Sequence, residues 1–231
     1  MNAPTVTLPP VVTASEWAAA TAELRAAEKE ATRARDALAA RRRRMPMVEF
    51  GPYAFAGADG PATLVDVFEG RRQLVVYQFM GGPHRGTAAG GVGREWCEGC
   101  CMFSDQVSRL EHLHARDTTL AIVSSAPYGE LAGLRERMEW RMPFYSSAGT
   151  SFADDCGVGE DFGLSVFLRD GDRVFRTYFT TGRGVEQLGS VWSFLDLTPF
   201  GRQETWEDTP AGRPQSPAYH WWHLHDEYPA R

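Results

Sequence analysis

Four cysteines are the residues with the clearest chemical potential, and three of them lie close together. Cys97 and Cys100 are separated by two residues, Cys101 follows directly, and Cys156 stands alone. Cysteines at positions i and i+3 can close a small disulfide at a helix start, where the helix dipole and free backbone N–H groups stabilise a thiolate. The thiolate is the species that attacks a disulfide. The spacing therefore predicts thiol–disulfide exchange, with Cys97 as the attacking thiol and Cys100 as the resolving thiol.

Two other interpretations of the cysteine cluster stay open, namely a structural zinc site and inert buried thiols. A structural zinc site needs four ligands, usually from a second close pair, and Cys101 is too near to Cys100 to belong to one. His112 and His114 lie several helical turns away. We therefore expect no metal at this motif. Cys101 is expected to be a small buried residue, with an additional resolving thiol as the alternative, and Cys156 either meets the motif in space or is a free thiol.

The segments around the motif predict an α/β domain. Helices are expected from Cys97 to near His114, from Pro127, and around Val185 to Trp192. The alternating first half implies parallel strands joined by right-handed crossovers, and the Asp170-Gly171 turn adds an antiparallel hairpin. A mixed sheet with helices on both faces follows. The predicted strands are 73–80, 118–124, a short segment within 143–146, 164–168 and 173–179.

The N-terminal part predicts a separate long helix. Thr13 and Glu16 have the spacing of a capping box, and the helix is expected to continue to about Arg44 before Pro46 ends it. A heptad repeat of apolar residues on an otherwise polar helix favours packing either on the main domain or against a second copy, and a homodimer through this helix is expected. The repeat consists of Trp17, Leu24, Ala31 and Leu38. The predicted division of the chain is 1–46 for this segment, 47–200 for the main domain and 201–231 for an aromatic and histidine-rich tail.

The bulk composition excludes several classes of protein. Of 231 residues, 43% are hydrophobic and 23% are charged, which is typical of a globular chain. The formal net charge of -6 argues against nucleic acid as a partner. No apolar run is long enough to span a bilayer, and the first ten residues lack the features of a secretory signal, so we expect a cytoplasmic protein without membrane contact. A reducing compartment favours catalytic over structural cysteines.

Two further segments carry candidate chemistry. Residues 81–93 contain six glycines and predict a loop, either a lid over the cysteines or a disordered connection, and the absence of a Lys-Ser/Thr pair there excludes a P-loop. His84 and Arg85 in this loop are candidate modulators of thiolate charge. His220, His223 and His225 have spacing compatible with a metal chelate. Interleaved aromatic residues favour a tail that packs on the domain instead.

Several segments together resemble a bacterial family of uncharacterised thioredoxin-like proteins, described as predicted dithiol–disulfide oxidoreductases. The resemblance implies a thioredoxin-like three-layer α/β/α fold with a mixed sheet, extended by the N-terminal helix and the C-terminal tail. A wider similarity links the chain to thioredoxins and peroxiredoxins. The segments are RRRRMPMV at 41–48, QLVVYQFM at 73–80, CEGC at 97–100, HLHARD at 112–117, WRMPFYSS at 140–147, GLSVFLRDGDRVFRTY at 163–178, LDLTPFGR at 195–202 and HDEY at 225–228.

The resemblance also implies a set of site residues. Trp96 with Cys97 and Cys100 is similar to the W-C-x-x-C of thioredoxins, so Trp96 is expected to form a flat apolar wall of the site. Leu164 takes the position of the thioredoxin cis-proline and Ser165 follows it. Since a cis bond without proline is costly, the backbone that binds substrate is expected to differ from thioredoxin. Trp96, Leu164 and Ser165 are the predicted substrate-binding residues.

These observations predict a thiol–disulfide oxidoreductase that acts on a protein or small-molecule thiol or disulfide. A partner reductase or a small thiol supplies the electrons, and no bound organic cofactor is expected. One alternative is a peroxiredoxin-like peroxidase, for which Arg94 and Arg183 are candidate partners of the cysteine. The absence of a P-x-x-x-T-x-x-C pattern argues against it. A second alternative is a non-catalytic binding or assembly protein on the same fold.

Overall fold

The computed structural model describes residues 6–81, 96–107 and 109–228. They fall into two compact units, one bounded as Met1–Pro46 with Asp208–Pro214 and the other as Met47–Glu207 with Gln215–Arg231. The three-part division expected from the sequence stays a prediction. Residues 82–95, which include most of the glycine-rich loop together with His84, Arg85 and Arg94, lie outside the described residues.

The first unit contains one long helix, α1, over Ala14–Arg42. The predicted capping box is confirmed, because the Glu16 amide donates to Thr13 Oγ1 at 3.3 Å and the Thr13 amide donates to Glu16 Oε2 at 2.9 Å. The helix ends two residues before the expected end. None of its residues is buried. In the same unit, the Thr7 amide donates to the Gly212 carbonyl at 3.1 Å.

The second unit contains an eight-stranded mixed sheet. The strands run in the order β1-β8-β7-β4-β5-β6-β2-β3 across the sheet. Strand β4 pairs in parallel with β5 and antiparallel with β7, and β7 pairs antiparallel with β8. The strands are β1 at Val48–Phe50, β2 at Ala54–Gly57, β3 at Gly60–Thr63, β4 at Gln73–Phe79, β5 at Thr118–Ser124, β6 at Phe144–Ser146, β7 at Gly163–Asp170 and β8 at Arg173–Thr180.

Helices cover both faces of this sheet. Seven α-helical segments are described in the second unit: α2 at Leu64–Val67, α3 at Glu98–Asp105, α4 at Glu111–His114, α5 at Tyr128–Arg137, α6 at Phe152–Asp155, α7 at Arg183–Glu186 and α8 at Ser190–Asp196. Two of these boundaries differ from expectation. The helix that begins after Cys97 stops at Asp105 because the side chain of Gln106 folds back on it. Gln106 Nε2 donates to the Met102 carbonyl at 2.9 Å, and Gln106 Oε1 accepts from the Val191 amide at 2.7 Å. The last predicted helix is split into α7 and α8.

Alternate residues of the central strands pack into two separate cores. In β4, Tyr77 and Phe79 lie in the core on the face covered by α3, α5 and α8. Leu74 and Val76 lie in the other core, with α2 and α6. This two-sided burial explains the near-continuous apolar sequence of β4 and β5.

The connectivity confirms the expected fold class. The succession β4-α3-β5-α5-β7-β8-α8, with the order β8-β7-β4-β5 across the sheet, is the thioredoxin-like arrangement within a three-layer α/β/α fold. Strands β1, β2, β3 and β6 extend the sheet at its two edges. The cysteine motif begins the helix that follows the first central strand. No helix among the described residues is long and apolar enough to cross a bilayer.

Candidate functional site

The cysteine pair lies at the N-terminus of α3, next to the end of strand β4. Gly81, just past β4, pairs with Trp96 in an isolated antiparallel bridge, which returns the chain to the sheet immediately before the motif. Cys97 is the N-cap residue of α3, with extended backbone angles of φ -70° and ψ 113°. The Cys100 amide donates to the Cys97 sulfur over 3.4 Å. The sulfur therefore takes the place of the oxygen of a usual capping side chain.

The environment of Cys97 favours a thiolate. A hydrogen bond from the Cys100 side chain is the largest cause that lowers the pKa of Cys97, and the backbone N–H groups of Cys100 and Gly99 lower it further. Burial and the charge of Glu98 oppose this shift without cancelling it. A negative sulfur at a helix N-terminus also interacts favourably with the helix dipole. The pKa of Cys97 is therefore below that of an ordinary cysteine.

Cys100 lies one turn inside the helix and has the opposite character. Its side chain is 1% exposed, and burial raises the pKa of its thiol well above the usual value. The Tyr77 hydroxyl donates to the Cys100 sulfur at 3.3 Å, and burial likewise raises the pKa of Tyr77, which keeps that hydroxyl protonated as a donor. The Tyr77 ring stacks on Phe103 of the same helix, with ring centroids 4.1 Å apart. The surroundings therefore favour the thiolate form of Cys97 and the protonated form of Cys100.

The other two cysteines are not part of this pair. Cys101 is buried, and burial raises the pKa of its thiol, consistent with the expected packing role. Cys156 belongs to the core on the other face of the sheet, where burial raises its pKa to about 11. The structure therefore does not bring Cys156 to the motif.

The C-terminal segment 219–228 lies against α3. The Trp222 indole is 8% exposed and packs directly on Gly99, leaving no space there for a side chain. His223 Nδ1 is 3.6 Å from Glu98 Oε1, and His225 Nδ1 is 2.7 Å from Asp105 Oδ1. The segment predicted to pack on the domain is thus a cover over the cysteine helix.

Two anchors hold this cover in place. Arg137 of α5 forms ion pairs with Asp226 at 2.8 Å and with Glu227 at 3.0 Å. The buried carboxylate of Glu204 accepts hydrogen bonds from the Trp221 indole and the Tyr219 amide, both at 2.8 Å. Two histidines of this segment, His223 and His225, face carboxylates of α3. In the described part of the chain, no three His, Cys, Asp or Glu side chains are arranged to hold a metal ion.

A cavity of about 510 Å³ opens beside Cys97. Its floor and sides come from β4, α3, α8 and the C-terminal cover, and it includes Cys100 as well as Cys97. Glu160 and Asp161 lie on the loop before β7, and Glu186 lies in α7. The remaining lining residues are mostly apolar: Tyr77, Met80, Gly99, Phe103, Phe162, Gly182, Val185, Trp192, Tyr219 and Trp222.

The three predicted substrate-binding residues lie near the motif but are not among the residues that line this cavity. Trp96 is buried against Phe79, with ring centroids 6.0 Å apart. Leu164 belongs to the same core as the cysteine pair, directly opposite Tyr77 in the β4–β7 ladder. Ser165 points to the other face, where its hydroxyl is 3.5 Å from Gln78 Oε1. Their roles in substrate binding stay a prediction.

Sequence reasoning missed the residues that enclose the site. Tyr77, Trp192 and Trp222 lie 20 to 125 positions from Cys97 and have no spacing relative to it that a local pattern could show. The sequence signal that could have indicated the cover was the concentration of Trp and His in the tail, together with the HDEY segment. His225 and Asp226 of that segment make the contacts described above. Arg183, a candidate for a peroxidase site, is 3.5 Å from Glu186 and stacks over the Trp206 ring at 3.8 Å.

Comparison with known proteins gives one family and several distant structural similarities. The model of the family described as "Bacterial protein of unknown function (DUF899)" matches residues 6–228. None of the curated proteins matches this chain. Among solved structures, peroxidoxin BcpB from Mycobacterium tuberculosis is 17% identical with a TM-score of 0.42, covering 62% of this chain and 92% of that one.

Two further solved structures show a similar level of likeness. A putative thiol:disulfide interchange protein DsbE from Chlorobium tepidum is 14% identical with a TM-score of 0.41, covering 62% of this chain and 91% of that one. A thioredoxin-like protein from Aeropyrum pernix is 14% identical with a TM-score of 0.38, covering 73% and 99%. Superpositions at this level carry no argument about activity, so the fold assignment rests on the strand order.

Proposed function

The chain belongs to the bacterial DUF899 family, and on that premise we propose that it is a dithiol–disulfide oxidoreductase. Cys97 supplies the attacking thiolate and Cys100 the resolving thiol. The observation that carries the proposal is the hydrogen bonding of the Cys97 sulfur at the start of α3, where the amide of Cys100 donates to it over 3.4 Å. A structural thiol has no need of such donors, whereas a nucleophilic thiolate does.

The proposed reaction transfers two electrons from the cysteine pair to a disulfide RSSR. The Cys97 thiolate attacks one sulfur, the S–S bond of the substrate breaks, and RS⁻ leaves and takes a proton from water. The Cys100 thiol then loses its proton and attacks Cys97 Sγ in the mixed disulfide. The second RSH leaves, and a Cys97–Cys100 disulfide remains. An external dithiol, as a small molecule or on a partner reductase, returns the pair to the reduced form.

The groups around Cys100 suit the second step. Its high pKa keeps it protonated while Cys97 reacts, so the two thiols do not compete for the first attack. When the proton leaves, the Tyr77 hydroxyl at 3.3 Å donates to the developing thiolate and lowers its pKa. Trp96 and Leu164 keep their proposed role as supports of the substrate. Trp96 does so by fixing the backbone just before Cys97 through its contact with Phe79.

The proposal is tested by a redox titration of the purified protein with mapping of the bridged cysteines by mass spectrometry. We expect one two-electron transition and a Cys97–Cys100 disulfide, with Cys101 and Cys156 remaining reduced because neither lines the cavity beside Cys97 and Cys156 lies in the other core. No bridge under mild oxidant would favour the non-catalytic binding alternative. Rapid oxidation of Cys97 by an organic hydroperoxide, without turnover of disulfides, would favour the peroxidase.

The pH dependence of Cys97 alkylation tests the cause of its reactivity. In the wild type, the rate with iodoacetamide should reach half its maximum at a pH below the value of about 8.5 that is usual for free cysteine. Cys100→Ala removes the donor that lowers the pKa of Cys97 most, so the midpoint should move to higher pH. Cys100→Ser keeps a donor and is the matched control, with a smaller displacement. Equal midpoints in both variants would contradict this account.

A further inference from the structure

The cavity beside Cys97 has the dimensions of a small-molecule site. Its volume of about 510 Å³ falls in the range of about 300–1,000 Å³ that is typical of ligand pockets. Both motif cysteines line it, so a disulfide placed in it is within reach of the attacking sulfur. Aromatic rings of Trp192, Tyr219 and Trp222 form much of its wall. The cavity and the proposed reactive atom therefore form one site.

Burial of the cysteine pair disfavours a protein as the substrate. Cys97 is only 6% exposed, and the Trp222 indole lies over Gly99 within the motif. A disulfide in a folded partner protein cannot reach the Cys97 sulfur through this covered surface, because the polypeptide on either side of that disulfide needs space at the surface. A small molecule inside the cavity meets no such obstacle.

The charges around the cavity are negative. Glu160 and Asp161 are both exposed, and neither forms an ion pair within the described parts of the chain. Glu186, also in the lining, is paired with Arg202 at 2.6 Å and with Arg183 at 3.5 Å, so the unpaired negative charge of the described lining comes from Glu160 and Asp161. The lining described contains no lysine or arginine. Carboxylates attract a cation and repel an anion, and the faces of Trp and Tyr rings also attract cations.

We infer that the substrate of the Cys97–Cys100 pair is a small disulfide bearing positive charge, bound in this cavity with its cationic group toward Glu160 and Asp161 and its disulfide at Cys97. The inference rests on the proposed function and adds the substrate class. The electron balance is that of the exchange given above, with R a short cationic arm. An anionic disulfide of the same size is repelled, and a protein disulfide is excluded by shape.

Three disulfides of similar length and different charge provide the test: cystamine, which is cationic, bis(2-hydroxyethyl) disulfide, which is neutral, and 3,3'-dithiodipropionate, which is anionic. The reduced protein is mixed with each in excess at low salt, and formation of the Cys97–Cys100 bridge is followed by quenched alkylation and mass spectrometry. Each rate is divided by that of free 2-mercaptoethanol thiolate with the same disulfide. This removes the intrinsic reactivity of the reagent.

We expect the normalised rate for the cationic disulfide to exceed that for the anionic one by about tenfold or more. This is the size of effect expected when a ligand charge lies several ångströms from a carboxylate in a site partly shielded from solvent. In Glu160→Gln/Asp161→Asn this ratio should fall severalfold. Asp59→Asn/Asp172→Asn removes two exposed carboxylates outside the cavity lining and should leave the ratio unchanged. High salt should reduce the ratio in the wild type.

The outcomes separate this inference from the proposed function. If all three disulfides form the bridge at equal normalised rates, or the ratio is the same in both double variants, the substrate class is wrong and the oxidoreductase remains. Reduction of a protein disulfide such as that of insulin at a rate comparable to cystamine would also overturn the inference. If no disulfide forms the bridge, the proposed function itself fails.

Discussion

Gly99 is the position where a single methyl group tests the contact between the C-terminal cover and the cysteine helix. A Cβ atom built on Gly99 lies 2.5 Å from Cζ3 and 2.9 Å from Cε3 of Trp222. Ordinary carbon–carbon contacts are about 3.5–4.0 Å, so the alanine methyl overlaps the indole by about 1 Å. The ring has little room to retreat, because Tyr219 and Trp192 lie against it with ring centroids at 4.4 Å and 5.8 Å.

The expected cost of Gly99→Ala follows from these distances. Forcing an extra carbon into a well-packed region costs about 1–3 kcal/mol. Replacing glycine by alanine in a helix regains at most about 1 kcal/mol of backbone entropy and propensity. The net effect is a destabilisation of about 1–2 kcal/mol. Gly129→Ala is the matched control, since Gly129 lies in α5 and a Cβ there has no atom within 4 Å, so this variant should be slightly stabilised.

Urea unfolding of wild type and both variants measures these changes. The midpoint should fall for Gly99→Ala and rise or stay for Gly129→Ala, with the same slope in each, because a packing change leaves the exposed area nearly constant. Adding Trp222→Leu should remove most of the penalty of Gly99→Ala, giving a coupling energy between the two sites. If Gly99→Ala is as stable as Gly129→Ala, Trp222 does not lie where the structure has it.

Two further predictions concern other contacts. Glu204→Gln should destabilise the protein by about 1–3 kcal/mol in urea, because the buried amide offers a single acceptor oxygen and its NH2 group then faces an N–H donor of Trp206, Trp221 or Tyr219. Exposed Glu136→Gln is the control, and equal midpoints would contradict the argument. The heptad of α1 predicts a homodimer through that helix, so light scattering at micromolar concentration should give twice the chain mass; a monomer would refute it, and Trp17→Lys should weaken the dimer.

Local patterns in the sequence determined the elements of this protein. The Thr13 capping box, strands β4 and β5, and the Asp170-Gly171 hairpin all occur as expected, because each depends on residues a few positions apart. The placement of Cys97 and Cys100 at a helix start after a buried strand was equally readable. The alternation of strands and helices then predicted parallel strands joined by right-handed crossover connections.

The surroundings of the cysteines were decided by tertiary structure. Trp222 reaches Gly99 across more than 120 residues of chain, and Tyr77 reaches Cys100 across 23. The early end of α3 depends on Gln106 and its partner Val191, and Ser165 was directed away from the cavity by the register of β7 against β4. The donors that lower the pKa of Cys97 lie within three residues of it, whereas the burial that raises the pKa of Cys100, and the Tyr77 hydroxyl beside it, come from groups remote in sequence. A local pattern encodes which atoms can react, whereas only the packed chain encodes what surrounds them.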